Sequence, residues 1–262
     1  MLGGGSLWVR YCMLTDPLAP YDLDRDDPRL DGSYVRRVAP EDGCGAVVLI
    51  GVVHDHPASV SRVRTIVEAV DPAVVGLELP PITIPAFTAY ASDDAVPPER
   101  GGEFSAAIQA APDARHVGID GPSCHFFREL VSEAVTQRVS WPTIRRVGRS
   151  LLSISQDSLR HRLASAVTRH TPYDVHVDRS LTHACTLADD PRRQATDERR
   201  QIARSYSLLR AATPPEPIRL RDAAREACMV RRLRSLRREG TVVTVVGLDH
   251  LERIATDLDA TI

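Results

Sequence analysis

Val47-Val-Leu-Ile-Gly-Val-Val-His54 and Val242-Val-Thr-Val-Val-Gly-Leu-Asp-His250 share one design: a short apolar run rich in β-branched residues, then Gly-x-x-His. Such continuous runs fit strands buried on both faces, the mark of a parallel sheet. Working outward, Ala73-Val-Val-Gly-Leu-Glu-Leu79 is a run of the same kind, and Arg115-His-Val-Gly-Ile-Asp120 is a shorter one. Between the first two runs, Val60, Val63, Ile66, Val67 and Val70 recur at helical spacing, and Asp71-Pro72 ends that helix. A second helix is expected near Glu103 to Ala111. Strand, helix, strand, helix, strand predicts an α/β fold with a mostly parallel central sheet flanked by helices.

The rest of the chain is read around this frame. Residues 1–45 are expected to be an irregular N-terminal arm, because 13–45 are rich in Pro, Asp, Gly and Arg. Residues 46–262 are read as a single domain, with a helical insertion at about 123–238 that lacks a comparable apolar run. Prolines at 80, 81, 85, 97 and 98 predict a long loop, and Gly240 stops a last long helix from about Pro217 to Arg238. A closing helix is expected over Leu251 to Leu258.

Composition excludes several classes. The 262 residues are 43% hydrophobic and 26% charged, enough for one large buried core. A net charge of −2 gives no pull towards nucleic acid or anionic membrane. All 33 basic residues are arginines, which we attribute to a GC-rich genome rather than to anion binding. Five scattered cysteines, without a CxxC pair, argue against a disulfide framework and for a reducing cytoplasm. No signal-peptide pattern and no apolar stretch of about 18 residues occurs, so a soluble cytoplasmic protein is expected. There is no Gly-rich nucleotide loop either.

Catalytic groups in open α/β sheets gather beyond the carboxyl ends of the strands. His54 and His250 stand at two such ends, and Glu78 ends the second apolar strand. If the first and last strands are neighbours, the two histidines converge. Two imidazoles and a carboxylate suit a divalent metal (Mn, Co or Zn), or a general base with its orienting partner. The plain alternatives are polar caps of strand-end turns for the histidines, and for Glu78 an acceptor for helix N-termini or for Arg225. His56 reads as a solvated loop residue rather than an additional ligand. Asp55 and Asp249 read as turn formers, and Cys124 and His125 as core or helix-start residues. His161, His170, His176 and His183 read as surface residues, and paired arginines such as Arg192-Arg193 as solvated faces.

The order strand, Gly51-x-x-His54, helix, Pro72-Ala-Val-Val-Gly-Leu-Glu78, with the closing Thr241 to Leu251 segment, resembles the TraB/PrgY/GumN/Tiki families. Glu103 looks like their helix-start glutamate, Asp120 like the aspartate after their third strand, and Arg128 like a downstream arginine. Arg225-Glu226-x-x-Met229 is similar to their Arg-Asp-x-x-Met stretch. The resemblance spans about residues 46 to 254 and implies a metalloprotease-like fold. It departs at Pro80-Pro81, where the family often has an arginine after the glutamate, and at Asp120-Gly121, where it often has Asp-Arg. Arg225 and Arg128 are the remaining candidates for that role.

The reading that follows is a metal-dependent, peptidase-like hydrolase. His54, Glu78 and His250 would hold the metal, Glu78 and Arg225 would be catalytic, and Asp120, Arg128 and Glu103 would support ligands or substrate. A peptide or small molecule is the expected partner, without nucleic acid or membrane, and a homo-oligomer is compatible. The alternative is a non-catalytic peptide- or small-ligand-binding protein using the same crevice. A third reading is a scaffold that keeps the fold and little chemistry.

Overall fold

The computed structural model describes residues 16–121, 183–211 and 216–260. Five strands, β1 (Val35–Val38), β2 (Val47–Val52), β3 (Val74–Leu77), β4 (Arg115–Gly118) and β5 (Val242–Gly247), form one sheet in the order β1-β2-β5-β3-β4. Only β1 runs antiparallel; β2, β5, β3 and β4 are parallel, as the continuous apolar runs require. The described helices are α1 (Pro57–Val70), α2 (Ile84–Ala91), α3 (Gly102–Ala110), α4 (Pro191–Ala211), α5 (Glu216–Leu236) and α6 (Leu248–Asp259).

Alternation along the strands divides the core into two layers. Val48, Ile50, Val52, Val75, Leu77, Val243 and Val245 pack on Val63, Ile66 and Val67 of α1 and on Phe104, Ala107 and Ile108 of α3. Val47, Leu49, Val74, Val242 and Val246 face the other way, onto Met229, Val230 and Leu233 of α5 and Leu251, Ile254 and Leu258 of α6. Every residue of β2 and of β5 is buried. Each large aliphatic side chain among them contributes about 1.5–3 kcal/mol, so the two strands anchor both layers.

Three features differ from the sequence reading. Residues 16–45 are not an irregular lead-in: they carry β1, and Leu18, Leu30 and Val35 enter the core. β1 escapes a hydrophobicity scan because an edge strand buries little; its sequence Val-Arg-Arg-Val buries only the two valines. The proline-rich stretch after β3 contains α2, whose proline lies in the first turn, where a missing N–H costs nothing. α6 starts directly after β5, three residues earlier than expected, which puts His250 in its first turn.

α4 is tied to this body largely by polar contacts. Arg62 of α1 is fully buried and pairs with the buried Glu198 of α4. Glu198 also accepts from Ser59 Oγ at 2.6 Å, while Arg62 reaches the carbonyls of Gly51 at 3.2 Å and Arg29 at 2.6 Å. Among the described residues no helix is long and apolar enough to cross a membrane.

A buried pair stripped of one partner leaves an uncompensated charge. Arg62→Met should therefore destabilise the protein by about 3–5 kcal/mol in urea unfolding. A loss below about 1 kcal/mol would show that Glu198 finds water or another partner.

Candidate functional site

The sheet order places β5 between β2 and β3, with Val52 level with Gly247 and Leu77 level with Val245. The residues that follow β2 and β3 therefore flank Gly247 on its two sides. From β2, His54 turns its Nδ1 to Glu103 Oε1 at 2.7 Å, and the other oxygen of Glu103 accepts the Asp55 N–H at 2.9 Å. A carboxylate only accepts, so Nδ1 carries the proton and Nε2 is left for the crevice. Glu103 is buried in the first turn of α3. Its approach depends on Gly101 and Gly102, with φ of 82° and 49°; a Cβ on Gly102 would stand 2.2 Å from Asp55 Oδ1.

From β3, Glu78 accepts the Gly247 N–H at 2.6 Å with one oxygen and Arg225 Nη2 at 2.5 Å with the other. Arg225 of α5 also grips Asp120, through Nη2 at 2.8 Å and Nε at 3.1 Å. His250 joins through Nε2, 3.5 Å from Glu78 Oε1 and 3.4 Å from Arg225 Nη1. Its Nδ1 lies 2.8 Å from Glu226 Oε1. Because a guanidinium only donates, His250 Nε2 presents its lone pair and Nδ1–H serves Glu226. Both histidines thus have the same polarity: Nδ1 fixed by a carboxylate, Nε2 facing inward.

Their ionisation follows from these partners. The hydrogen bond from His54 to Glu103 raises the histidine's pKa above 6.5, against burial, with help from the charge on Glu78. At His250 burial pushes downward, but Glu226 and Glu78 outweigh it and the shift is again upward. Arg225 stays charged: burial opposes it, and Asp120 and Glu78 more than compensate.

Gly247 is the centre of the arrangement. A Cβ there would lie 3.4 Å from Glu78 Oε2, 3.5 Å from His54 Nε2 and 3.8 Å from His250 Cδ2. The three side chains border a cleft of about 370 Å³, whose opposite wall is Gln201, Ile202, Ser205 and Tyr206 of α4. Gly51 plays another part: it lies inside β2, and a Cβ there would press within 2.8 Å of Leu251 of α6.

The structure thus brings together His54, Glu78, His250, Arg225, Glu103 and Asp120. Arg128, Cys124, His125, His161, His170 and His176 lie outside the described residues. Glu226 is not among the expected site residues; its signal in the sequence is its place beside Arg225, where the resembling stretch has an acidic residue. His56 is not a solvated loop residue. It is fully buried and caps α1, accepting the Ala58 N–H at Nδ1 over 3.1 Å. Its Nε2 lies 3.4 Å from Asp197 Oδ2 and 3.7 Å from Cys185 Sγ. Ligand atoms of His56, Cys185 and Asp197 all fall within 4.8 Å of one another, so this group could hold a metal ion. His54, Glu78 and His250 do not close up as a trio to that degree; Arg225 bridges Glu78 and His250.

Glu103→Gln should lower the pKa of His54, followed by NMR of its ring protons. The folded pKa exceeds the unfolded value of about 6.5, so this contact stabilises fully below that pH and fades as pH rises through the folded value. The variant should therefore lose more stability at about pH 5.5 than at about pH 8.5; equal losses would assign Glu103 a purely packing role. No protein-family model, no curated protein and no solved structure matches this chain.

Proposed function

We propose that this chain is a metal-dependent hydrolase of the TraB/Tiki type, acting on a peptide or a small amide-like molecule. One observation carries the reading: two histidines, each held through Nδ1 by a carboxylate, turn Nε2 towards one cleft beside Glu78. Carboxylate–histidine pairs of this polarity orient metal ligands and raise their basicity. Glu78 Oε1 and His250 Nε2, 3.5 Å apart, have the separation of two ligands on one ion, which would displace the Arg225 guanidinium that now bridges them.

His54, His250 and Glu78 would hold the ion, and a divalent ion bound there supplies a water of lowered pKa and polarises the scissile carbonyl. Glu78 otherwise serves as base, taking the proton of the attacking water at the oxygen that now faces Arg225. Arg225, held charged by Asp120, offers donors to negative charge developing on the substrate. Gly247 leaves room for the reacting group, and the α4 wall limits access of bulk water. The lost arginines after Glu78 and Asp120 are replaced in this scheme by Arg225.

A second reading has one specific support. Arg225 already gives Glu78 and Asp120 a cationic partner, an arrangement suited to binding a peptide or small ligand without turnover.

Metal content separates the two. The wild-type protein should retain one equivalent of Mn, Co or Zn attributable to this cleft, and His54→Ala/His250→Ala should lose it while staying folded. Equal metal content in both proteins would remove the hydrolase reading and leave ligand binding. Gly247→Ala adds a finer check, because its methyl meets its neighbours at ordinary contact distance yet projects among the three side chains. Its urea midpoint should change by less than about 1 kcal/mol in stability, while metal affinity and turnover fall at least about tenfold.

A further inference from the structure

We propose that His56, Cys185 and Asp197 form a second, structural zinc site that staples the start of α4 to the turn after β2, with His183 as its fourth donor. The site joins two segments far apart in the chain: His56 caps the start of α1, while Cys185 precedes α4 and Asp197 lies in its second turn, 129 and 141 residues further on.

The spacing suits the ion. Ligands at about 2.0–2.3 Å from zinc and at tetrahedral angles stand roughly 3.3–3.6 Å apart. His56 Nε2 is 3.4 Å from Asp197 Oδ2 and 3.7 Å from Cys185 Sγ. One thiol, imidazole nitrogen and one carboxylate form a zinc-type set, poorly suited to calcium or magnesium. His56 and Cys185 are buried, as in a closed structural site rather than an open catalytic one.

His183 gives an independent pointer. Its Nδ1 faces Gln201 Oε1 at 3.0 Å, which leaves its buried Nε2 without a hydrogen-bond partner. A buried, unpaired acceptor is costly, and this one belongs to a ring packed edge-on against His56 at 4.8 Å between centroids. A side-chain rotation that brings this nitrogen to the ion would complete four-fold coordination.

Binding has a defined proton balance. In the structure the Ala58 N–H donates to His56 Nδ1, so the imidazole proton lies on Nε2, towards Asp197. Burial and Asp197 push the Cys185 thiol up to about 11, so it enters as S–H. On zinc binding the thiol proton leaves to solvent as the Zn–S bond forms. The imidazole proton moves from Nε2 to Nδ1, where it opposes the Ala58 N–H, so the cap is given up and that N–H has to turn to another acceptor. One helix cap is worth far less than a structural zinc site contributes. Gln201, which contacts His183 in this structure, also lines the α4 wall, so the rotation of His183 onto the ion would release a residue of the cleft.

The two sites are separable because, among the described residues, no thiol lines the cleft at Gly247. The full chain, stripped by chelator and titrated with Co²⁺, should develop a thiolate-to-cobalt charge-transfer band at one equivalent. The band should survive in His54→Ala/His250→Ala and vanish in Cys185→Ser, whose zinc affinity should fall at least about 100-fold. Asp197→Asn should weaken Co²⁺ at this site at least about tenfold. Absence of the band in wild type, its persistence in Cys185→Ser, or unchanged affinity in Asp197→Asn would overturn the proposal. Repeated in the His54→Ala/His250→Ala background, these measurements do not depend on whether the cleft itself binds metal or hydrolyses anything.

Discussion

Gly247 donates its backbone N–H to the Glu78 carboxylate at 2.6 Å, and it can do so only because β5 lies between β2 and β3. Everything that meets in the cleft depends on that insertion. The pairing sets Val52 beside Gly247, so the chain leaving β2 delivers His54 to one side, while Glu78 arrives from β3 on the other. The same strand runs straight into α6 and thereby fixes His250. A glycine at the meeting point keeps the space between these groups open. Backbone pairing, which specifies no chemistry, sets the positions of the chemically active groups.

Electrostatics then explains how the side chains are held. Four carboxylates, from Glu78, Glu103, Asp120 and Glu226, face one guanidinium and two imidazoles. Carboxylates this poorly exposed need cationic or donor partners, and their excess over Arg225 favours added positive charge. The upward shifts of both histidines express that need. On the proposed metal-binding reading, a proton and a divalent ion compete to answer the same charge excess at the inward-facing Nε2 atoms.

Much of this was legible in the sequence, for reasons that also mark where legibility stopped. β2, β3 and β5 are continuous apolar runs because both of their faces are covered, and the paired Gly-x-x-His endings drew attention to His54 and His250. Glu103 and Asp120 entered by resemblance, while the bonds they make became visible only in three dimensions. β1 was missed because an edge strand with Arg36 and Arg37 at its centre has the composition of a loop. His56 was misjudged because Asp55 and Pro57 beside it suggest solvent, whereas its burial is imposed by Cys185 and α4, far along the chain. The Arg62–Glu198 pair leaves no local trace either, since each residue alone reads as part of a charged helical face. Pairs separated by more than a hundred residues have no periodicity to betray them.

The central position of β5 also sets the order in which the molecule can be built. Gly247 and Glu78, joined by one hydrogen bond, are 169 residues apart in the chain. During synthesis β2 and β3 emerge long before the strand that separates them, and each must wait with an unpaired edge. Closing so large a loop is entropically costly and slow, and exposed edges invite the wrong partners meanwhile. The cleft therefore cannot be complete until β5 is in place, and a nascent chain stalled before Thr241 contains most of the buried apolar residues but neither Gly247 nor His250.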